Sequence, residues 1–485
     1  MFSLRPILYV VGTLLLILAA ILLLPAVCII INGSEPEINL RAFLFSSLVA
    51  AIAGFPMFAS TRQANFQMTP RQMYFLTVIS WLMINLFCAV PFMTSSLSLS
   101  LTDAIFETVS GTTTTGSTIL TGLDQLPDSI LIWRAMLQWL GGLGIIVMVV
   151  AILPQLRVGG MRLFRSEASD QSEKFTSRSN KVVQSFGSVY LALSVLCALS
   201  YYFAGMDLYN AILHAMTTVS TGGYSTSDLS MQQFASSEIL WTSSVFMFVS
   251  GLPLILLVQI VHGRAELVTR DQQVRGYFHF VLFSALILAV WLAIAYDMNV
   301  MDALCLGFFT TISIITTTGY TTIDYNLWGG LAVGAFFFLT FSGACAGSTA
   351  GGIKIFRFQI AAQMLKNQIN GMLHPRGVFR NFYNGTPISS DIVASVIAFS
   401  FVFLGTIAVL AIALSLTGLD LTTSLSGAAT AVANVGPGLG DIIGPVGSFA
   451  PLPDTAKWLL AVGMLLGRLE ILTVLVIFTA GFWRG

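Results

Sequence analysis

Charge is what this chain has least of. Only 9% of its 485 residues are Asp, Glu, Lys or Arg, against about 25% in a soluble globular protein. A molecule wetted on all sides is thereby excluded. Basic and acidic residues balance at 22 each, which argues against a nucleic-acid partner. Histidine is scarce and scattered: His214, His262, His279 and His374 form no metal-ligand spacing. The five cysteines, Cys28, Cys88, Cys197, Cys305 and Cys345, include no CxxC pair and sit among apolar or small residues, where they read as packing residues. No Ser/His/Asp or paired-carboxylate arrangement falls in an apolar stretch, so a membrane enzyme lacks its chemistry. Gly141-Gly142-Leu143-Gly144 and Gly436-Pro437-Gly438-Leu439-Gly440 have no strand–turn–helix context and do not read as nucleotide sites. No cofactor is expected.

Hydrophobic residues are what the chain has in excess, at 56%. They come in runs of about 20, each long enough to cross a hydrocarbon core of roughly 30 Å. The fold class is an all-α polytopic membrane protein. The apolar run Ile7–Ile31 after Arg5 is longer than the core of a secretory signal and has no small-x-small cleavage site, so it reads as a retained helix. A second span is expected near Ala42–Ser60.

After this pair the chain repeats one pattern four times: a span, a short half-span, a polar loop, then another span. The first unit has Met73–Phe92, Ala104–Gly111, the loop Thr113–Thr118 and Ile130–Leu153. The second has Val182–Ala204, Ala211–Val219, Ser220-Thr221-Gly222-Gly223-Tyr224 and Ile239–Val261. The third has Phe278–Ala295, Ala303–Ile315, Thr316-Thr317-Thr318-Gly319-Tyr320 and Trp328 onward. The fourth has Ile392–Leu416, Leu425–Ala433, Asn434-Val435-Gly436-Pro437 and Trp458–Ala480. The domain plan is residues 1–70 for the N-terminal pair, then repeats at 71–155, 156–265, 266–385 and 386–485. Half-span and loop together are too short to cross, so each is re-entrant, and four of them meet on a pseudo-fourfold axis. Asp103 and Asn210, each 13 residues ahead of its loop glycine, are expected to cap the short helices.

Aligned on the last glycine, the loops place Thr114, Thr115 and Gly116 over Thr221, Gly222 and Gly223, then Thr317, Thr318 and Gly319, then Asn434, Val435 and Gly436. Glycine takes φ > 0 without steric penalty, so consecutive carbonyls can point one way. Rings of such carbonyls can replace the water shell of potassium. The loops carry no charged side chain, so backbone oxygens are the expected source of selectivity.

Basic residues mark one side of the membrane: Arg157, Arg162, Arg165, Lys174, Arg178 and Lys181, then Arg264, Arg270 and Arg275, then Lys354, Arg357, Lys366, Arg376 and Arg380. The opposite loops carry eleven aspartates, Asp103, Asp124, Asp128, Asp207, Asp228, Asp297, Asp302, Asp324, Asp420, Asp441 and Asp454, with Lys457 the main exception. Basic loops and both termini are therefore expected in the cytosol and the filter loops outside. The aspartates either form an acidic vestibule that gathers cations or cap helices and turns.

Two features fall outside the repeat. Eleven small residues, Ser342 to Gly352, interrupt the second span of unit three alone. They predict a helix broken into a loop crossing the pathway below the filter, with Gly343, Gly347, Gly351 and Gly352 as gate positions; close helix packing is the plainer alternative. Arg468 lies in the last apolar span, where it either snorkels or faces the pore as a barrier to cations. Glu470 is a weak candidate for its counter-charge, since i,i+2 residues face apart on a helix. Glu107, on the first half-span, reads as a hydrogen-bonded support.

The four-unit plan, the glycines Gly116, Gly223, Gly319 and Gly436, and the N-terminal pair resemble the Trk/Ktr/HKT potassium-transporter superfamily over essentially the whole chain. The length and the extra pair look most like the bacterial Trk potassium-uptake membrane subunits of the TrkH type. The resemblance implies potassium preference with Gly116 at the first position, rubidium as a surrogate, a gating intramembrane loop, and an arginine barrier at Arg468. It also implies a homodimer in the bacterial cytoplasmic (inner) membrane and a cytosolic ring of nucleotide-binding TrkA-type subunits. Asn434-Val435 and Pro437 depart from the threonines and aromatic of the other loops. The segment Lys354–Tyr383 reads equally as a partner dock or an interfacial anchor. The competing functional class is a proton- or sodium-coupled secondary transporter, a symport of a small solute, which needs midplane carboxylates or histidines that are sparse here.

Overall fold

The computed structural model describes residues 3–33, 35–60, 68–151, 179–234 and 236–484. The basic positions Arg157, Arg162, Arg165, Lys174 and Arg178 lie outside the described residues, as does the side chain of Lys181.

The N-terminal pair spans Arg5–Asn32 and Glu37–Ala59. The two helices close on each other where Gly12 meets Gly54, each lacking the Cβ that would strike the other's backbone. Ser47 Oγ donates across the same seam to the Ala19 carbonyl, at 2.7 Å. Unit one follows with Pro70–Thr94, the short helix Leu101–Thr112 and the span Asp128–Ala151. The last of these is the central member of the bundle: 72% of its apolar window is buried, against 22% for Gln272–Ala295. Unit two has Ser179–Phe203 and Leu208–Val219, unit three Gln272–Ala295 and Val300–Ile315, unit four Ser390–Ser415 and Leu421–Ala433.

The short helices start one turn earlier than the spacing of Asp103 and Asn210 predicts. The caps are Ser100 and Asp207, whose side chains accept from the backbone N–H of Asp103 and Asn210. Asp103 and Asn210 sit at the third helical position and bond back to their caps, at 2.9 and 2.7 Å. Cap and third residue are thus joined side chain to side chain as well as side chain to backbone. Asp420 caps the fourth helix in the same way and Asn299 the third. Each such cap is worth about 1 kcal/mol.

The second spans differ most from expectation. A break was expected in unit three only, yet units two, three and four are all broken. In unit two, Ser237–Ser250 and Leu254–Val261 meet at 100°. Pro253 stands between them; it has no N–H to give the ladder and its ring clashes with the preceding turn. In unit four, Asp454–Arg468 and Ile471–Phe478 meet at 106°, with Glu470 left-handed at φ 61°. In unit three the helix Gly329–Thr340 gives way to the small-residue run. Strand Ser342–Gly343 pairs in parallel with strand Ile353–Lys354 and so closes a loop, before helix Ile355–Leu373 resumes.

Irregular backbone at membrane depth needs partners inside the protein. Two of the broken spans supply them to each other. Cys345 N–H donates to the Gly251 carbonyl at 3.0 Å, and Leu254 N–H donates to the Gly347 carbonyl at 2.9 Å. Gln273 accepts from the Ala346 N–H at 2.9 Å.

Candidate permeation site

Each loop repeats one backbone conformation. The residue two before the glycine is left-handed in all four units: Thr114, Thr221, Thr317 and Asn434 have φ between 52° and 57°. The glycines Gly116, Gly223, Gly319 and Gly436 are left-handed too, at 90°, 76°, 78° and 111°. The residue between them is not. This alternation turns successive carbonyls to one side of the chain. A left-handed non-glycine residue costs on the order of 1–2 kcal/mol, and three of the four are threonines, so each loop stores strain that its surroundings must hold.

The loops form a closed ring. A Cβ added to Gly116 would fall closer than 3.0 Å to the Gly222 carbonyl oxygen, one on Gly223 to that of Thr318, one on Gly319 to that of Val435, and one on Gly436 to that of Thr115. Each glycine is thus backed by the carbonyl that precedes the next unit's glycine, and the fourth unit returns to the first. The same four glycines line one outer cavity of about 190 Å³. The twelve residues singled out from the sequence therefore come together around a common centre, including Asn434 and Val435 of the divergent fourth loop. Asn434 donates to Thr115 Oγ1 at 2.9 Å and to the Met464 carbonyl at 3.0 Å.

The vestibule is not the acidic funnel that the aspartate count suggested. Of the eleven aspartates only Asp228 lines the cavity, whose walls are otherwise Ser, Thr, Gly and apolar residues together with Arg134. Asp228 is itself engaged by the N–H groups of Gly122 and Leu123. Asp207, Asp324 and Asp420 are helix caps. Asp103 pairs with Lys457 at 2.6 Å, which accounts for the lone lysine on this side.

Directly beneath the ring lies the loop of unit three. Gly351 N–H donates to Thr317 Oγ1 at 2.7 Å, and Thr221 Oγ1 donates to Thr349 Oγ1 at 3.1 Å. Gly351 packs against the Ala433 carbonyl and the Asn434 side chain. The loop thus touches units two, three and four at the base of their polar loops. Gly343 stacks on the Gly351 carbonyl, Gly347 and Gly352 make left-handed turns, and Arg468 Nη1 donates to the Thr349 carbonyl at 2.9 Å. Arg468 is 4% exposed, and its Nε and Nη2 have no hydrogen-bond partner among the described residues. Of the five positions expected to form a gate, Gly351 and Arg468 bond at this level, Gly343 and Gly352 pack beside Gly351, and Gly347 lies at the Pro253 bend.

Glu470 is not the partner of Arg468. Its carboxylate pairs with Arg357 at 2.9 Å, and the Arg357 guanidinium stacks 3.5 Å over the Phe399 ring. Arg357 and Lys354, counted from the sequence as loop charges, are both buried, Lys354 donating to the Ala350 carbonyl. Among the described residues of the two later basic loops, Arg264, Arg270, Arg275, Lys366, Arg376 and Arg380 are exposed.

Sequence reasoning missed Arg134. It is buried behind the filter, with Nε on Glu107 at 2.9 Å, Nη1 on the Ser225 carbonyl at 2.9 Å, and its guanidinium 4.1 Å from the Tyr224 ring centre. Glu107 also accepts from Thr118 Oγ1 and Ile119 N–H, the supporting role expected of it. An arginine inside an apolar span was the available signal, the one that picked out Arg468. The glycines Gly141 and Gly142 serve close packing, against the Thr112 carbonyl and against Tyr190 and Ser220.

Fold and site together define a polytopic membrane protein with four span–pore loop–span units in one chain. A family profile described as the TrkH cation transport protein matches residues 39–483, and the chain belongs to that family. It is 47% identical to the Trk system potassium uptake protein TrkI of Halomonas elongata, over 99% of this chain and 97% of that one. It is 34% identical to the Trk system potassium uptake protein TrkH of Escherichia coli, over 99% of each. The crystal structure of the potassium transporter TrkH from Vibrio parahaemolyticus superposes with a TM-score of 0.92 at 31% identity, covering 100% of both chains.

Proposed function

We propose that this protein takes up potassium across the bacterial cytoplasmic membrane through the ring of filter carbonyls. The carrying observation is the closed cycle of glycines and carbonyls, in which every unit contributes the same two left-handed residues. Uncharged main-chain oxygens at such a ring substitute for the hydration shell of the ion, and rubidium permeates alongside potassium. The small-residue loop is the gate, since it bonds to filter threonines from below. Arg468 is an electrostatic barrier, its charge incompletely satisfied at the loop.

The filter side faces outward and the exposed basic residues face the cytosol, as the positive-inside bias requires; both termini are cytosolic. Control is assigned to a separate cytosolic ring of nucleotide-binding TrkA-type subunits docked on a membrane homodimer. The surface for docking begins after Arg357, because the start of the Lys354–Tyr383 segment is buried. The coupled-symport reading is disfavoured because the carboxylates around the pathway are engaged: Asp228 by the N–H groups of Gly122 and Leu123, Glu107 and Glu470 each by an arginine.

The test is potassium-limited growth of a bacterial host lacking its own uptake systems, paired with rubidium flux into proteoliposomes across an imposed pH gradient. Rescue, and flux that follows the potassium gradient alone, is the expected outcome. Failure to rescue with the protein present in the membrane, or flux that tracks the pH gradient, overturns the reading.

A further inference from the structure

The ring position just before each glycine is held in one way in units one and three and in other ways in units two and four. In unit one Thr115 Oγ1 pairs with Thr113 Oγ1 at 2.7 Å, and in unit three Thr318 Oγ1 pairs with Thr316 Oγ1 at 2.8 Å. In unit four the position is the buried apolar Val435. Unit two has no side chain there, because residue 222 is glycine. The vacant volume is filled from the central span of unit one: the three atoms nearest a Cβ on Gly222 are Cδ, Oε1 and Nε2 of Gln138, all closer than 3.0 Å.

Gln138 also bonds where it lies. Its Nε2 donates to the Gly222 carbonyl at 2.6 Å, and its Oε1 accepts from the Tyr224 N–H at 2.9 Å. One carboxamide therefore bridges residues 222 and 224 with Gly223 between them. The side chain is fully buried. Two successive glycines make this the most permissive stretch of the ring, and a peptide free to rotate would carry its carbonyl off the axis. A carbonyl has two lone pairs, so the bond from Gln138 leaves one for an ion.

We propose that Gln138 is a positioning residue for ion discrimination: it replaces the missing threonine of unit two and locks the Gly222-Gly223-Tyr224 backbone in register with the other three loops. The proposal rests on the ring being the potassium pathway. Ser220 occupies the place of Thr113 and Thr316, with its hydroxyl on the Thr217 carbonyl at 3.3 Å. A threonine at 222 would therefore find a hydroxyl partner, as in units one and three, once Gln138 is cut back.

The experiment uses the full chain in proteoliposomes, with potassium and sodium fluxes measured separately and insertion quantified. Gln138→Ala and Gly222→Thr each lower potassium-over-sodium discrimination about tenfold, the scale of one buried hydrogen bond lost. The first frees the double glycine; the second forces Gln138 out. The double variant Gln138→Ala/Gly222→Thr regains most of the loss, in discrimination and in insertion. Wild-type discrimination in both single variants overturns the proposal, as does a double variant no better than the worse single. Wild-type protein that fails to discriminate sinks the underlying pathway reading instead, so the two failures are distinguishable.

Discussion

The ion pair behind the filter offers the sharpest test of what holds the ring. Arg134 and Glu107 are 1% and 0% exposed and lie 2.9 Å apart. Arg134 further reaches Thr118 Oγ1 at 3.2 Å and the Ser225 carbonyl at 2.9 Å. Thr118 and Ser225 each sit two residues past a filter glycine, so this one guanidinium ties together the outer ends of loops one and two. Arg134→Leu leaves Glu107 buried with Thr118 Oγ1 and Ile119 N–H as its donors. Removing one member of a buried pair costs about 3–5 kcal/mol, a large share of a net folding stability of about 5–15 kcal/mol. Glu107→Leu strands the guanidinium and has a similar cost. The double variant Arg134→Leu/Glu107→Leu strands neither charge, so its loss is far smaller than the sum. The assay is a double-variant cycle of thermal and denaturant unfolding on the full chain in detergent, with rubidium uptake read in parallel. A coupling energy under about 0.5 kcal/mol, the limit of additivity for independent sites, would refute the reasoning.

Four further outcomes follow from the site. A unit charge about 8 Å from a permeating cation at an effective dielectric of ~20 opposes it by about 2 kcal/mol, so Arg468→Gln raises potassium flux by roughly tenfold or more; reduced or unaltered flux argues against the barrier. Replacing residues 343–352 by a Leu/Ala helix leaves a leaky, unregulated pore, and a still-regulated flux makes the loop packing only. Gly319→Ala drives a methyl into the Val435 carbonyl at a position with φ 78°, and uptake is lost while the equally conservative Gly334→Ala, whose Cβ meets nothing within 4 Å, leaves uptake intact. The bonds from the Thr423 side chain and N–H hold the Asp420 carboxyl below its ordinary range. The stability it adds is complete above its unfolded value of about 3.9 and is lost as pH falls through the lowered folded value. Asp420→Ala therefore costs about 1 kcal/mol at neutral pH and flattens the acid limb of the stability profile, and an unchanged limb contradicts the capping role.

The ring of loops was legible because all four copies keep one spacing, so the glycines and the left-handed residues two before them could be aligned without coordinates. The caps were misplaced by a turn because Asp103 and Asn210 also favour the third helical position, where they answer Ser100 and Asp207. Breaks in the second spans were legible only where composition announced one. The Gly251-Leu252-Pro253 bend had a proline signal that an apolar run concealed. The Glu470 bend had none, since it accompanies a pairing with Arg357, 113 residues away in the chain. Burial of Lys354 and Arg357 was hidden for the same reason: loop-by-loop charge counting assumes that a basic residue after a span meets water. Gln138 is legible only with Gly222 beside it, because its role is defined by a side chain that another unit lacks.

The hydrogen bonds exchanged between Gly251, Leu254, Cys345 and Gly347 have a mechanical consequence. An unsatisfied backbone group at membrane depth costs several kcal/mol, so neither bend can move alone without orphaning the other's donors. A displacement that keeps these bonds is a joint one, in which the start of helix Leu254–Val261 and the loop of unit three move together. Helix Leu254–Val261 is followed by the exposed residue Arg264 and by the short helix Glu266–Arg270. A push delivered at that segment would be shared, through these bonds, with the loop beneath the glycine ring.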